Sequence, residues 1–203
     1  MSAPLTGPAG MRARNLRTVG VLAAIFLLPL ALAFFAYYDT GWRPVGRLNH
    51  GALITPARPL PAVALPRLAG GTTPATAGSF HGKWTLVYVA SGACAAECTQ
   101  ALFVMRQTRL GLNNDMTRVE RVRLATGACC GGVSAAEDPG LAVFDATGPA
   151  AAPLLAQFPS ADRAHSIFVV DPLGNLMMSY DARTDPHGLL EDLRKLLRLS
   201  HIG

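Results

Sequence analysis

Acidic residues are nearly missing from the first half of this 203-residue chain: Asp39 stands alone ahead of Glu97. Lysine is scarce as well. Lys83 and Lys195 are the two lysines among 18 basic residues, an arginine bias that reads as genomic composition and carries no functional message. Charged residues make up 15% of the chain and apolar residues 50%, a balance that points to a membrane segment rather than a wholly soluble protein. The formal net charge is +5, but Arg12, Arg14 and Arg17 lie together ahead of the main apolar run. The remaining 15 basic residues face 13 acidic ones, which excludes a nucleic-acid footprint. No internal repeat or long low-complexity tract is present.

What is there begins with Val19 to Tyr38, a stretch without a single charge. Twenty residues at about 1.5 Å each span roughly the 30 Å hydrocarbon core of a bilayer. Pro29 kinks such a helix without excluding it. Phe34, Phe35, Tyr37, Tyr38 and Trp42 form an interfacial belt at the far end. The three arginines at the near end place residues 1–18 in the cytoplasm and everything after Asp39 outside it. Ala31-Leu32-Ala33 resembles a signal-peptidase site. The apolar run continues past it into bulky aromatics, so 19–38 is expected to stay as an anchor. Either reading exports the rest of the chain.

Residues 39–79 hold six prolines and a Gly/Thr/Ala stretch, and read as an extended tether with a short strand near Val63 to Leu65. From residue 80 to 203 the pattern is that of one α/β domain. Trp84 to Ala90 is a continuous β-rich apolar run, the mark of a strand buried on both faces. A helix is expected from about Ala95 to Leu112, ended by Asn113-Asn114-Asp115. Val119 to Ala125 alternates apolar and polar residues and reads as a second strand. Pro149 to Gln157 reads as a short helix. His165 to Asp171 and Leu176 to Tyr180 form a hairpin across Pro172-Leu173-Gly174-Asn175. Leu189, Leu190, Leu193, Leu196 and Leu197 give Pro186 to Leu199 helical spacing, with Asp185 as its cap. The order β-α-β-α-β-β-α is that of a thioredoxin-like fold: a central mixed sheet flanked by helices, here behind one N-terminal transmembrane helix.

The four cysteines are Cys94, Cys98, Cys129 and Cys130. Cys94 and Cys98 lie where the first strand hands over to its helix. A helix N-terminus favours thiolate, and a spacing of four residues puts both sulfurs on one helix face. Paired thiolates suit a soft metal, above all copper. They equally suit a disulfide in an oxidising compartment. Cys129 and Cys130 follow the second strand, where they serve either as a resolving dithiol for the first pair or as a brace for a glycine-rich loop. His50, His81, His187 and His201 have no supporting constellation and read as solvated or linker residues. Asp171 reads as a turn former.

Gly82-Lys83-Trp84-Thr85-Leu86-Val87-Tyr88-Val89, then Cys94-x3-Cys98, then His165 ahead of Val169-Val170-Asp171-Pro172-Leu173-Gly174, resembles the Sco/SenC family from Phe80 to Leu199. That resemblance implies a thioredoxin-fold assembly factor for cytochrome c oxidase. It also implies copper, one per chain, held by Cys94, Cys98 and His165, with oxidase subunit II or other assembly factors as partners. The implied location is the inner (plasma) membrane, with the C-terminal domain in the periplasm. The chain departs from the family pattern at Ala95 and Thr99, where proline usually follows each cysteine. Two other readings stand beside it. One is a thiol-disulfide oxidoreductase using Cys94 and Cys98, with Cys129 and Cys130 as accessory thiols. The other is an assembly scaffold without metal chemistry. No peroxidatic motif accompanies the cysteine pair.

Overall fold

The computed structural model describes residues 8–39, 49–69, 80–91, 94–127, 138–184, 186–200 and 202. The chain divides into two units, Met1–Arg47 and Leu48–Gly203. The described residues of the first form one helix, α1 (Pro8–Tyr38), with Pro29 inside it. Its stretch Asn15–Tyr38, 24 residues, is long and apolar enough to cross a membrane. The helix therefore begins ahead of the expected span, because nothing in Pro8 to Thr18 breaks it.

The second unit is built on a seven-stranded sheet. Its strands are β1 (Ala52–Pro59), β2 (Arg67–Ala69), β3 (Trp84–Ala90), β4 (Val119–Ala125), β5 (Leu141–Asp145), β6 (Ser166–Val170) and β7 (Asn175–Asp181). They lie in the order β1-β7-β6-β3-β4-β5-β2. β3, β4 and β5 run parallel, and β6, β7 and both edge strands run antiparallel to their neighbours. β3 is buried along its whole length, as its unbroken apolar run requires.

Among the described residues three α-helices complete the unit. α2 (Ala96–Gly111) and α4 (Pro186–Leu199) pack together over one face, where Leu102, Met105, Leu189 and Leu193 meet Trp84, Leu86 and Tyr88. α3 (Ala152–Leu155) and its flanking turns cover the other, where Leu154 and Phe158 meet Val87, Leu124 and Phe168. Asn113, at φ 51°, takes the left-handed conformation that ends α2.

The tether expected over 39–79 needs correction. Residues 52–59 and 67–69 are the two edge strands of the sheet, pairing with β7 and β5. The predicted strand at Val63 to Leu65 falls between them, in extended chain without a ladder. Prolines obscured β1, and β2 is only three residues long. Proline lacks the N–H that an inner strand must donate, but an edge strand leaves one side unpaired, so Pro56 and Pro59 are tolerated in β1. The β1–β7 register shifts between Leu53 and Arg58, around Pro56. Leu60 and Leu65 are buried against the α3 face. This Pro-rich chain is thus part of the domain's core. β5 is a second departure: five residues between a glycine and a short turn give too little periodicity to be recognised.

The hairpin turn is as expected. The Asp171 carboxylate accepts hydrogen bonds from the backbone N–H of Leu173 (2.9 Å) and Asn175 (2.8 Å). Gly174 sits at φ +84°, and a Cβ there would meet the His81 ring at 2.8 Å. His81 is exposed, as a solvated residue is expected to be, and its ring lies over this turn.

Candidate functional site at the first strand–helix corner

Cys94 lies just ahead of α2 and Cys98 in its first turn, at the end of the buried strand β3. The two are joined as a disulfide with Cα atoms 5.1 Å apart, inside the ordinary range for the bond. Cys98 is 4% exposed, whereas Cys94 is half-buried. An incoming thiolate or reductant therefore meets Cys94 first. Ala95 caps α2 and contributes no side-chain hydrogen bond, so the positive end of the helix is left to act on the sulfurs once they are reduced. Glu97 in the same turn opposes that effect. The Thr99 hydroxyl donates to the Ala95 carbonyl at 3.1 Å and stands 4.0 Å from the Cys94 sulfur.

A cleft of about 380 Å³ opens beside the pair, lined among others by Tyr88, Ser91, Glu97, Cys98, Thr126 and Arg163. Its floor is held by backbone ties. The Thr126 N–H and hydroxyl both donate to the Ala90 carbonyl, at 2.8 and 2.9 Å. The Tyr88 hydroxyl donates to the Ala164 carbonyl at 2.8 Å. Burial pushes the Tyr88 phenol above its ordinary pKa; Arg123 opposes that shift and Glu97 adds to it. Arg123, on β4 in register with Tyr88, is fully buried, and burial pulls its guanidinium below the ordinary range.

His165 ends a single 3-10 turn, Arg163–His165, and leads into β6. That turn packs against α2 and β3, and Arg163 and Ala164, the two residues ahead of His165, line the cleft beside Cys98. Its N–H donates to the Asp162 carbonyl (3.0 Å), and its carbonyl accepts from the Ala182 N–H (2.7 Å). The imidazole Nε2 stands 4.0 Å from the Asp162 carboxylate. Asp162 in turn pairs with Arg183. Among the described residues no three His, Cys, Asp or Glu side chains are gathered as a metal cluster. In the disulfide form Cys94 and Cys98 offer no thiolate to a metal. Two thiolates and an imidazole are, as residue types, a donor set suited to copper. Cys129 and Cys130 lie outside the described residues.

Sequence reasoning found the cysteines and missed their surroundings. Tyr88 looks like one more residue of an apolar strand. The alternation of β4 suggests a solvated polar face, yet Arg121 and Arg123 are both buried. Arg121 is neutralised by a two-point pair with Asp138, at 2.8 and 2.9 Å. His50 is exposed, as a solvated residue is expected to be, but it does have a supporting constellation. Its backbone N–H donates to the Asp192 carboxylate at 2.7 Å, and its ring Nδ1 lies 3.3 Å from the same group. It belongs to the domain rather than to a linker.

A mixed sheet flanked by helices, with a cysteine pair at its first strand–helix corner, defines a thioredoxin-like domain. Residues 84–200, more than half of the chain, match the family described as transmembrane-like, thioredoxin-like, C-terminal domain, and the chain belongs to that family. No curated protein matches it in sequence. Among solved structures, yeast Sco1 aligns at a TM-score of 0.53 with 12% identity, covering 72% of this chain and 98% of that one. Apo Sco1 from Thermus thermophilus aligns at 0.51 with 16% identity, covering 75% and 99%. Yeast Sco1 with copper bound aligns at 0.51 with 14% identity, covering 71% and 95%. These likenesses bear out the Sco/SenC resemblance at the level of the fold, and their low identity fits a divergent member.

Proposed function

We propose that this protein is a membrane-anchored assembly factor for cytochrome c oxidase. Reduced Cys94 and Cys98, with His165, bind one copper per chain for delivery to the oxidase copper site. One observation carries the reading. Two cysteines bonded to each other sit at the N-terminal end of α2, one exposed enough to react, beside a cleft whose wall includes the residues just ahead of His165. The shared fold with Sco proteins, one of them solved with copper bound, supports it. In this reading 19–38 spans the inner (plasma) membrane, residues 1–18 face the cytoplasm and the C-terminal domain is periplasmic. The partner is oxidase subunit II or another assembly factor.

The closed disulfide favours a second reading, a thiol-disulfide oxidoreductase acting on an exported partner's cysteines. Opening the bond takes two electrons and two protons from a partner dithiol, which is left as a disulfide. Cys129 and Cys130 are the accessory thiols of that reading. His165→Ala separates the two: it abolishes copper binding under the first and spares exchange under the second. In cells, Cys94→Ser with Cys98→Ser is expected to leave the oxidase without its copper site. A fully metallated oxidase in that strain contradicts both active-pair readings and leaves a metal-free scaffold.

A further inference from the structure

We propose that Tyr88 is a positioning residue for His165: its hydroxyl holds the turn that carries the histidine at the distance from the cysteine corner that metal binding requires. This rests on the copper reading above and names a residue that reading does not contain.

Tyr88 lies on β3, the strand that runs directly into the cysteine corner. Its ring is 2% exposed, lines the same cleft as Cys98, and packs in the core beneath α2. In the β3–β6 ladder Tyr88 stands opposite Ile167, two residues beyond His165. From there the phenol reaches back along β6 to the Ala164 carbonyl at 2.8 Å. Ala164 is the residue next to His165 and lines the cleft as well. The other ties on His165 come from its own side of the sheet. Its N–H goes to Asp162 and its carbonyl takes the Ala182 N–H. The β3–β6 ladder ties β6 to the strand that places the sulfurs as far as Tyr88↔Ile167, and the Tyr88 hydroxyl carries that tie past the last pair to the turn itself.

A metal site needs its ligands fixed to within a fraction of an ångström, and groups that orient a ligand contribute about 10- to 100-fold in affinity. Tyr88 acts through a backbone carbonyl rather than on the imidazole itself. The low end of that range is expected, about tenfold.

The test is a copper(I) titration against a chromophoric chelator. It uses the full-length protein in detergent, reduced beforehand, as wild type, Tyr88→Phe, His165→Ala and the double variant. Phenylalanine keeps the buried ring and removes only the hydroxyl; near-ultraviolet circular dichroism and a thermal melt confirm that the core is intact. Tyr88→Phe is expected to weaken copper binding about tenfold. In the His165→Ala background the same change is expected to do nothing, because there is no ligand left to position. Unchanged affinity in Tyr88→Phe, or the same loss with and without His165, overturns the proposal.

A wild type that binds no copper would be a failure of the copper reading, and is told apart by a second measurement. In the metal-free protein, the imidazole proton resonances of His165 are expected to shift or broaden in Tyr88→Phe while those of the Trp84 ring stay in place. Unmoved His165 resonances overturn the positioning role whatever the copper result.

Discussion

Asp192 and Cys98 lie on the two helices that share one face of the sheet, and each is 4% exposed. Their surroundings differ. The Asp192 carboxylate accepts from the backbone N–H of His50 (2.7 Å) and Gly51 (3.3 Å), and from the Tyr180 hydroxyl, with the His50 ring at 3.3 Å. Those bonds clamp the segment entering β1 to the closing helix. At Cys98 the sulfur is committed only to Cys94, and the helix end above it has no side-chain cap. The Asp192 site uses its polar groups to hold the chain together, whereas the cysteine corner does not. It leaves them open to reagents, as a site that must change its bonding state requires.

The largest effect that would sharpen this contrast is expected from Asp192→Ala. It strands the backbone donors of His50 and Gly51 and leaves the Tyr180 hydroxyl only its Gly188 carbonyl partner, at a cost of about 3 kcal/mol, read as the shift of a urea unfolding midpoint. The same clamp should show in acid. Burial pushes the Asp192 carboxyl up, but hydrogen bonds from Tyr180, His50 and Gly51 outweigh it and hold its pKa below the ordinary value. A lowered folded-state pKa gives stability that is present above the unfolded value near pH 4 and is lost as pH falls through the folded one. Wild type should therefore lose stability below about pH 4, and Asp192→Asn should show a flatter profile there. An equally steep acid loss in Asp192→Asn would break the assignment.

Reducing Cys94–Cys98 is expected to cost less, about 2 kcal/mol or under, because the loop it closes is only four residues apart in sequence. A melt with and without a dithiol reductant measures it. A collapse of the fold on reduction would make the bond structural and erase the distinction between the two sites. Tyr180→Phe is the smallest of the set. Tyr180 gives one hydrogen bond to the carboxylate, so about 1.5 kcal/mol is expected, roughly half the loss in Asp192→Ala. A loss equal to that of Asp192→Ala would mean that the backbone donors contribute nothing.

The parts legible in the sequence are those decided by local pattern. Trp84 to Ala90, the hairpin around Asp171-Pro172 and the leucine-spaced closing helix all stand where their periodicity puts them. The cysteine corner was legible because a spacing of four at a strand–helix junction is itself local, and the disulfide was one of two states open to it. The illegible parts depend on distant partners. His50 has no meaning until Asp192, 142 residues on, is placed beside it. Tyr88 meets Ala164 across 76 residues. The alternation of β4 told strand from helix correctly, but it could not tell that Arg121 would be buried against Asp138. The edge strand β1 was hidden by prolines that would disqualify an inner strand and are harmless on an outer one, and β2 by its length of three residues.

The central claim is that the Cys94–Cys98 bond is a switch between a closed pair and a copper-binding one. It is tested most directly by copper stoichiometry of the full-length protein in its two redox states, side by side. One copper per chain after reduction, none in the disulfide form, and loss in Cys94→Ser, Cys98→Ser and His165→Ala is the predicted result. Copper bound equally by both states, or by neither, would contradict it.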